Sequence, residues 1–116
     1  IIDLLEPDVD FTNDLKEFMT EHPDTDGIFA INDFVGLNII NILKSINKEV
    51  LEDYQLIGFD GIKMSSEREY QVSTIVQPVK QLAYQAFEIL LKQIKDLEYK
   101  EQKIIPVKFM EGGTTY

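Results

Sequence analysis

The stretch Gly27–Ile46, GIFAINDFVGLNIINILKSI, joins two apolar runs with an amide and a carboxylate between them. The first run, residues 28–31, is short and continuously apolar, which is typical of a strand that is buried on both faces. Asn32 and Asp33 end that run, and a longer amphipathic stretch begins at once. Core formation alone does not require two polar side chains here, so we expect the pair to have a structural or binding role.

A second stretch, QLIGFDGIKM from Gln55, has the same order, because its apolar run ends at Asp60. A third strand-like run, STIV, is followed by Gln77 and then by Pro78, a favourable residue for the first turn of a helix. In open parallel sheets, ligands bind outside the carboxyl ends of the strands. Asn32, Asp60 and Gln77 are therefore candidate ligand-binding residues, since amides and carboxylates hydrogen-bond to hydroxyl groups without transferring protons.

Each of these positions also has a purely structural explanation. Asp33 could cap the helix that follows it, where a carboxylate is favoured by the positive helix end. Asn32 would then precede the cap, so capping explains it less well. Asp60 and Gly61 could form an ordinary turn.

The pattern of apolar residues predicts the order strand, helix, strand, helix, strand, loop, strand, helix, strand. The first strand is expected in IIDLLEPDVDF, the second helix from Asp33 to about Asn47, and a long helix over residues 78–97. The last strand is expected in KIIPVKF, where Pro106 suits a sheet edge or a crossover. This alternation predicts an α/β fold with an open, mainly parallel sheet and helices on both faces.

Composition narrows the possible functions of the chain. The 116 residues suffice for one domain, and the chain begins at Ile1, so we expect a piece of a longer protein. A net charge of −10 disfavours direct binding to nucleic acid. The chain has no Cys, a single His in a turn, no phosphate-binding or nucleophile motif and no run that approaches a membrane span of about 20 residues. We therefore expect no enzymatic activity, metal, cofactor or membrane association.

Four features in order resemble the C-terminal end of the LacI/GalR family of sugar-responsive repressors. They are an apolar strand that ends in Asn-Asp, a Gly-Phe-Asp, a Thr-Ile-x-Gln-Pro, and a Thr-Thr ending in GGTTY. The resemblance runs from about Gly27 to Tyr116 and departs from the family at Gly112, where Arg is frequent. Family likeness also suggests the regulator of a sucrose operon.

The resemblance implies an effector domain with two lobes of the periplasmic-binding-protein-like type, with a small sugar bound between them. Residues 1–116 would be the C-terminal portion of that domain, and the helix over 78–97 would belong to the other lobe. Asn32, Asp60 and Gln77 would contact the sugar, whereas Asp33 is better assigned to structure. Operator DNA would be bound only by an N-terminal helix-turn-helix that this chain lacks.

The helix from Asp33 carries a second, partly apolar stripe beside its core face. The resemblance places this helix and the loop after Gly-Phe-Asp at the subunit interface of a homodimer. The expected interface residues are Leu37, Ile40, Asn41, Lys44 and Arg68. A slightly apolar surface helix is the alternative explanation of the stripe.

The sequence thus predicts the effector-binding and dimerisation part of a cytoplasmic, sugar-responsive repressor. A periplasmic sugar-binding protein of an ABC transporter is the first alternative, and a helix-turn-helix or a secretion signal upstream would distinguish the two. A phosphoacceptor receiver domain is the second alternative. IIDLLEPD and VKFMEGG argue against it, because they lack a convincing acidic pair and a convincing Lys at the places a receiver needs them.

Overall fold

The computed structural model describes residues 10–62 and 71–116. Its elements, in chain order, are α1 (Thr12–Glu21), β1 (Gly27–Phe29), α2 (Asp33–Lys44), β2 (Gln55–Asp60), β3 (Ser73–Val76), α3 (Val79–Lys95) and β4 (Lys108–Met110). This order agrees with the predicted alternation from α1 onward. Of the strand expected in IIDLLEPDVDF, only Asp10 and Phe11 are described, and neither is in a strand. Residues 1–9 and the interface candidate Arg68 lie outside the described residues.

The described strands form one open sheet in the order β1-β2-β3-β4. β1, β2 and β3 run parallel, and β4 pairs with β3 in the antiparallel direction. The prediction of an open, mainly parallel α/β sheet is confirmed. β4 begins only at Lys108, later than predicted, which leaves Pro106 outside the strand, where its missing amide hydrogen costs no ladder bond.

The core lies on the sheet face that carries Leu56. α2 turns the side chains of Ile39, Ile42 and Leu43 towards this face, and α1 adds Leu15 and others to the same cluster. These positions recur at helical spacing, which is why the amphipathic pattern of α2 could be recognised in the sequence. Burial of each such side chain contributes about 1.5–3 kcal/mol.

The opposite face of the sheet is only partly covered by the described residues. Phe29 pairs with Ile57 in the register of β1 and β2, so these side chains point away from Leu56. The rings of Phe29 and Phe59 lie edge to face with centroids 6.5 Å apart, and Phe29 remains exposed. An apolar strip therefore runs along this face.

α3 differs from α1 and α2 because none of its residues is buried. Its apolar stripe includes Phe87, Leu90 and Ile94, and the last of these is 68% exposed. The radius of gyration of the chain is 18.3 Å, whereas a compact domain of this length has about 13 Å. α3 therefore contributes little to the core that α1, α2 and the sheet share.

A buried threonine near the C-terminus joins β2 to β3 at the start of both strands. The Thr114 hydroxyl donates to the Leu56 carbonyl at 2.6 Å and accepts from the Ser73 amide at 2.8 Å. The Leu56 amide donates in turn to the Thr114 carbonyl at 3.0 Å. The Thr-Thr ending is thus an integral part of the sheet.

Candidate functional site

The three predicted ligand-binding residues lie at one edge of the sheet. Asn32 follows β1, Asp60 ends β2 and Gln77 follows β3, and these three strands are adjacent and parallel. Asp60 and Gln77 are in direct contact, because Gln77 Nε2 donates a hydrogen bond to Asp60 Oδ1 at 2.8 Å. Both residues are partly exposed. At this edge, the hydrogen bond therefore holds the Asp60 carboxylate and the Gln77 amide in a fixed orientation relative to each other.

Asn32 is the N-cap of α2. Its backbone is extended, and its Oδ1 accepts a hydrogen bond from the Val35 amide at 2.8 Å. The expectation that Asp33 caps the helix and that capping explains Asn32 less well was wrong. Since Oδ1 is engaged in the cap, the Nδ2 group of Asn32 is the part that can donate to a ligand.

Asp33 is buried, with 2% of its surface exposed, and its carboxylate bonds to residues far along the chain. Oδ1 accepts from the Thr74 hydroxyl at 2.6 Å, and Oδ2 accepts from the Ile62 amide at 2.6 Å. Asp33 therefore has a structural role, as the sequence suggested. That role is to join α2 to β3 and to the segment after β2, not to cap a helix.

The backbone at the end of β2 is unusual. Asp60 has φ 101° and Gly61 has φ 76°. A Cβ atom at residue 61 would lie 2.7 Å from Val76 Cγ2, so both the conformation and the available space require glycine. Asp60 has no such freedom, and a non-glycine residue with this φ is strained, as is common at ligand sites.

Two exposed apolar side chains flank Asn32. Ile31 precedes it, and Phe34, in the first turn of α2, is 58% exposed. Sugar and other small-ligand sites combine apolar and aromatic walls with a few oriented polar groups. Sequence reasoning missed Phe34, although its position three residues before Leu37 places it on the second stripe of the helix.

The predicted interface residues of α2 differ in exposure. Asn41 and Lys44 are exposed, whereas Leu37 and Ile40 are half-buried and pack against the core cluster. Part of the surface of Leu37 and Ile40 is therefore buried against the core and could not be buried again in an interface. Phe34 is the more exposed apolar residue on this helix.

Metal-ligating groups, the single His and the apolar length of the helices complete the description of the candidate residues. In the described ranges, no group of three or more His, Asp or Glu side chains could hold a metal ion. His22 is exposed at the end of α1 and packs on the Phe18 ring at 4.5 Å between centroids. No helix within residues 10–62 and 71–116 is long and apolar enough to cross a membrane.

Residues 4–115 match the model of a family described as "Periplasmic binding protein-like domain". The HTH-type transcriptional regulator IpsA of Corynebacterium glutamicum is 35% identical over 100 residues, which cover 85% of this chain and 27% of that protein. The sucrose operon repressor of Pediococcus pentosaceus is 27% identical over 103 residues, which cover 87% of this chain and 31% of the repressor. The chain thus spans less than a third of the length of these curated relatives.

The crystal structure of a LacI family transcriptional regulator from Enterococcus faecium with bound ribose has the same fold. It superposes with a TM-score of 0.66 at 30% identity, over 90% of this chain and 40% of that one. The matched family model, the relatives and this superposition agree with the motifs at the sheet edge. The chain belongs to the family of periplasmic-binding-protein-like domains, in the form that LacI-family transcriptional regulators carry.

Proposed function

We propose that this chain is the C-terminal portion of the effector-binding domain of a sugar-responsive transcriptional repressor. The observation that carries the proposal is the contact between Asp60 and Gln77, 2.8 Å apart, at the ligand-binding edge of a parallel sheet. The relatives are named as regulators, which favours a non-enzymatic role and a cytoplasmic location over a periplasmic transport protein. Operator binding would belong to a helix-turn-helix elsewhere in the intact protein.

Asp60 would bind sugar hydroxyls with the carboxylate oxygen that Gln77 leaves free. Gln77 donates to Oδ1, and within residues 10–62 and 71–116 no group donates to Oδ2, which could accept from one or two hydroxyl groups. Gln77 Oε1 adds an acceptor and Asn32 Nδ2 adds donors, and Phe34 and Ile31 supply apolar surface nearby. Because the relatives name different sugars, the proposed effector class is a small sugar, from a pentose to a disaccharide.

The exposed stripe of α3 supports the proposal that residues 78–97 pack on the other lobe. Phe87, Leu90 and Ile94 are all at least half exposed, and each would gain about 1.5–3 kcal/mol from burial. The opposing lobe would also exclude water from the sugar at Asp60. Sugar binding would then hold the two lobes in one relative orientation, and this would change how the DNA-binding modules are placed relative to each other.

The outer side of α2 is the proposed surface of a homodimer. Phe34 is exposed at one end of it, and Asn41 and Lys44 are exposed further along. Leu37 and Ile40 would lie at its border, because they already pack in part against the core. A two-fold axis through this helix would place the ligand residue Asn32 close to the interface.

Calorimetry on the intact protein tests the effector proposal. Ribose, sucrose, lactose and cellobiose are titrated into the wild type, the Asp60→Asn variant and the Asp24→Asn variant, which changes an exposed turn carboxylate. A hydrogen bond to a charged group contributes about 1.5–3 kcal/mol, so Asp60→Asn should weaken binding by about 10- to 150-fold. Equal affinity of the Asp60→Asn variant and the wild type, or no binding of any sugar, contradicts the proposal.

Sedimentation of the intact protein tests the dimer. Phe34→Glu would bring two like charges together across the axis without partners, and we expect a shift to monomer. Asn13→Glu, on the exposed side of α1, is the matched control and should leave the mass unchanged. A Phe34→Glu protein that stays dimeric removes this side of α2 from the interface.

A further inference from the structure

The three motifs that mark this sheet edge converge on one buried carboxylate. Asp33, from Asn-Asp, lies flat against the backbone of β2 at Gly58, from Gly-Phe-Asp. A Cβ atom at residue 58 would lie 2.3 Å from Asp33 Oδ1 and 3.2 Å from Asp33 Cα, distances that no side chain tolerates without displacement. Only glycine at residue 58 leaves room for the Asp33 side chain at its observed position.

Thr74, from Thr-Ile-x-Gln-Pro, completes this arrangement. Its hydroxyl donates to Asp33 Oδ1 at 2.6 Å and accepts from the Gly61 amide at 3.2 Å, while Asp33 Oδ2 accepts from the Ile62 amide at 2.6 Å. Both amides directly after Asp60 are thus held by side chains of α2 and β3. The Asp33 and Thr74 side chains, with these two amides, are called the buried clamp below.

The buried clamp acts on the residue that has the strained backbone. Asp60 adopts φ 101°, a conformation that costs a non-glycine residue free energy and persists only where its surroundings impose it. The buried clamp holds the amides of residues 61 and 62, and it thereby imposes this conformation on Asp60 from the C-terminal side. The same backbone conformation directs the Asp60 carboxylate towards Gln77 Nε2.

We propose that Asp33 and Thr74 are positioning residues for the ligand carboxylate of Asp60. Both side chains are buried, and they act on effector affinity by holding the segment 60–62 without touching the effector. This inference rests on the proposed sugar-binding function. It assigns to two residues of the motifs a role in affinity that is separate from their contribution to stability.

Calorimetry on variants of the intact protein tests the role of Thr74. The probe is whichever of ribose, sucrose, lactose and cellobiose binds the wild type most tightly. Thr74→Val removes the hydroxyl at nearly constant volume and should weaken affinity by about tenfold. Thr74→Ser keeps the hydroxyl and should stay within about twofold of the wild type.

Ser73→Ala is the matched control for a lost buried hydroxyl. Ser73 directly precedes Thr74 at the start of β3. Its hydroxyl shares a hydrogen bond of 2.7 Å with Thr115 and accepts from the Gly112 amide at 2.9 Å, so it bonds to no part of the buried clamp. The Ser73→Ala variant should have a lower unfolding temperature than the wild type and the same sugar affinity. The double variant Thr74→Val with Asp60→Asn should bind no more than about twofold more weakly than Asp60→Asn alone, because coupled residues are non-additive.

Hydrogen exchange gives a second measurement that does not depend on a sugar. Amides of residues 60–62 should exchange faster in Thr74→Val and in Asp33→Asn than in the wild type, while those of α1 stay protected. Asp33→Asn serves in both measurements if Thr74→Val does not fold. Unchanged exchange of these amides in folded variants overturns the buried clamp.

The results separate this inference from the proposed function. If Asp60→Asn binds every sugar as the wild type does, or if no sugar binds, the proposed function fails and this inference fails with it. If Asp60→Asn weakens binding but Thr74→Val does not, or if the two effects are additive, Asp60 remains a ligand residue and the positioning role is overturned.

Discussion

α2 and α3 are both amphipathic, yet only α2 is packed. α2 is capped by Asn32 and buries residues such as Ile39 and Leu43 against the sheet. α3 begins after Pro78 and is longer, and every one of its residues stays at least partly exposed. An apolar stripe shows that a helix requires a packing partner, but it does not show where that partner lies. Residues 78–107 are called the helical arm below, and the remaining described residues the sheet lobe.

The largest expected difference between the two regions is the cost of removing an apolar side chain. Leu43 is fully buried and Leu90 is 52% exposed. In the 116-residue chain, Leu43→Ala should lower the free energy of unfolding by about 2–5 kcal/mol, and Leu90→Ala should change it by less than about 0.5 kcal/mol. Urea unfolding measures both values.

The same pair of variants in the intact protein sharpens the comparison. If α3 packs on the other lobe there, Leu90→Ala should become destabilising by about 2 kcal/mol or more. An intact protein that tolerates Leu90→Ala as the 116-residue chain does would contradict the assignment of residues 78–97 to the other lobe.

The sequence predicted the elements of both regions because their signals are local. The apolar run before Asn32, the spacing of Ile39 and Leu43, and Pro78 before α3 are all visible within a few residues. The same local signals placed Asn32, Asp60 and Gln77 at one edge of the sheet. Their assignment as ligand residues remains a prediction.

The features that the sequence did not reveal depend on distant residues. Asn and Asp are both good helix caps, and what reserves Asp33 for another role is Thr74, 41 residues away. The contact between Asp60 and Gln77 depends on a backbone conformation that composition does not encode. The exposure of Phe34 and the insertion of Thr114 between β2 and β3 likewise depend on the assembled sheet.

A second prediction concerns the tolerance of the sheet lobe to added volume. Gly58→Ala would place a Cβ atom 2.3 Å from Asp33 Oδ1, whereas a Cβ atom at residue 27 would have nothing within 4 Å. We expect Gly58→Ala to cost about 1–3 kcal/mol and Gly27→Ala to be near neutral. Thermal unfolding of the two variants checks this, and equal melting temperatures would show that α2 is packed less tightly on β2 than described.

A smaller effect is expected at a buried hydroxyl of the sheet lobe. Tyr54 Oη is buried and has no hydrogen-bond partner among the described residues. We therefore expect Tyr54→Phe to change the free energy of unfolding at neutral pH by less than about 1 kcal/mol. A loss of more than that would indicate that the hydroxyl has a partner.

Tyr54 also predicts a dependence on alkaline pH. Burial, together with the charges of Glu49 and Asp53, raises the pKa of Tyr54 to about 12 from its ordinary 10.0. The folded state then retains the proton that the unfolded state loses, so stability should fall between about pH 10 and 12. Denaturant unfolding of the wild type and of Tyr54→Phe across this pH range measures how much of the loss of stability is due to Tyr54. The Tyr54→Phe variant should lack that share of the loss.

The smallest effect is expected in the helical arm, where Glu101 connects α3 to the segment after it. Tyr99 donates a hydrogen bond to Glu101, and Lys92 and Lys103 each lie 3.3 Å from its carboxylate. These groups lower the pKa of Glu101 from 4.5 to about 2, with the Tyr99 hydrogen bond the largest cause. The stability that the network contributes to the folded state should be present above about pH 4.5 and should be lost as the pH falls to about 2.

Carbon-detected NMR titration of the Glu101 carboxyl group checks this value directly. Glu101→Gln should speed hydrogen exchange near Tyr99 and leave the amides of the sheet lobe unchanged. A Glu101 pKa near 4.5 would show that this network does not join α3 to the segment after it within the helical arm.

The position of Thr114 in the sheet also has a consequence for the order of events during synthesis. The Leu56 carbonyl and the Thr114 hydroxyl that binds it are 58 residues apart in the chain. A ribosome therefore releases β2 and β3 well before the residue that bridges their starts, and the bridge must form over a loop that costs roughly 3–4 kcal/mol of closure entropy. Pairings this distant in sequence form late and slowly. In the nascent chain, Leu56 can already pair with Ile28 and Ser73 with Ile57, but the Leu56 carbonyl and the Ser73 amide lack their Thr114 partner until the GGTTY segment arrives. Surfaces that are completed late in folding are the ones exposed to aggregation and to chaperones.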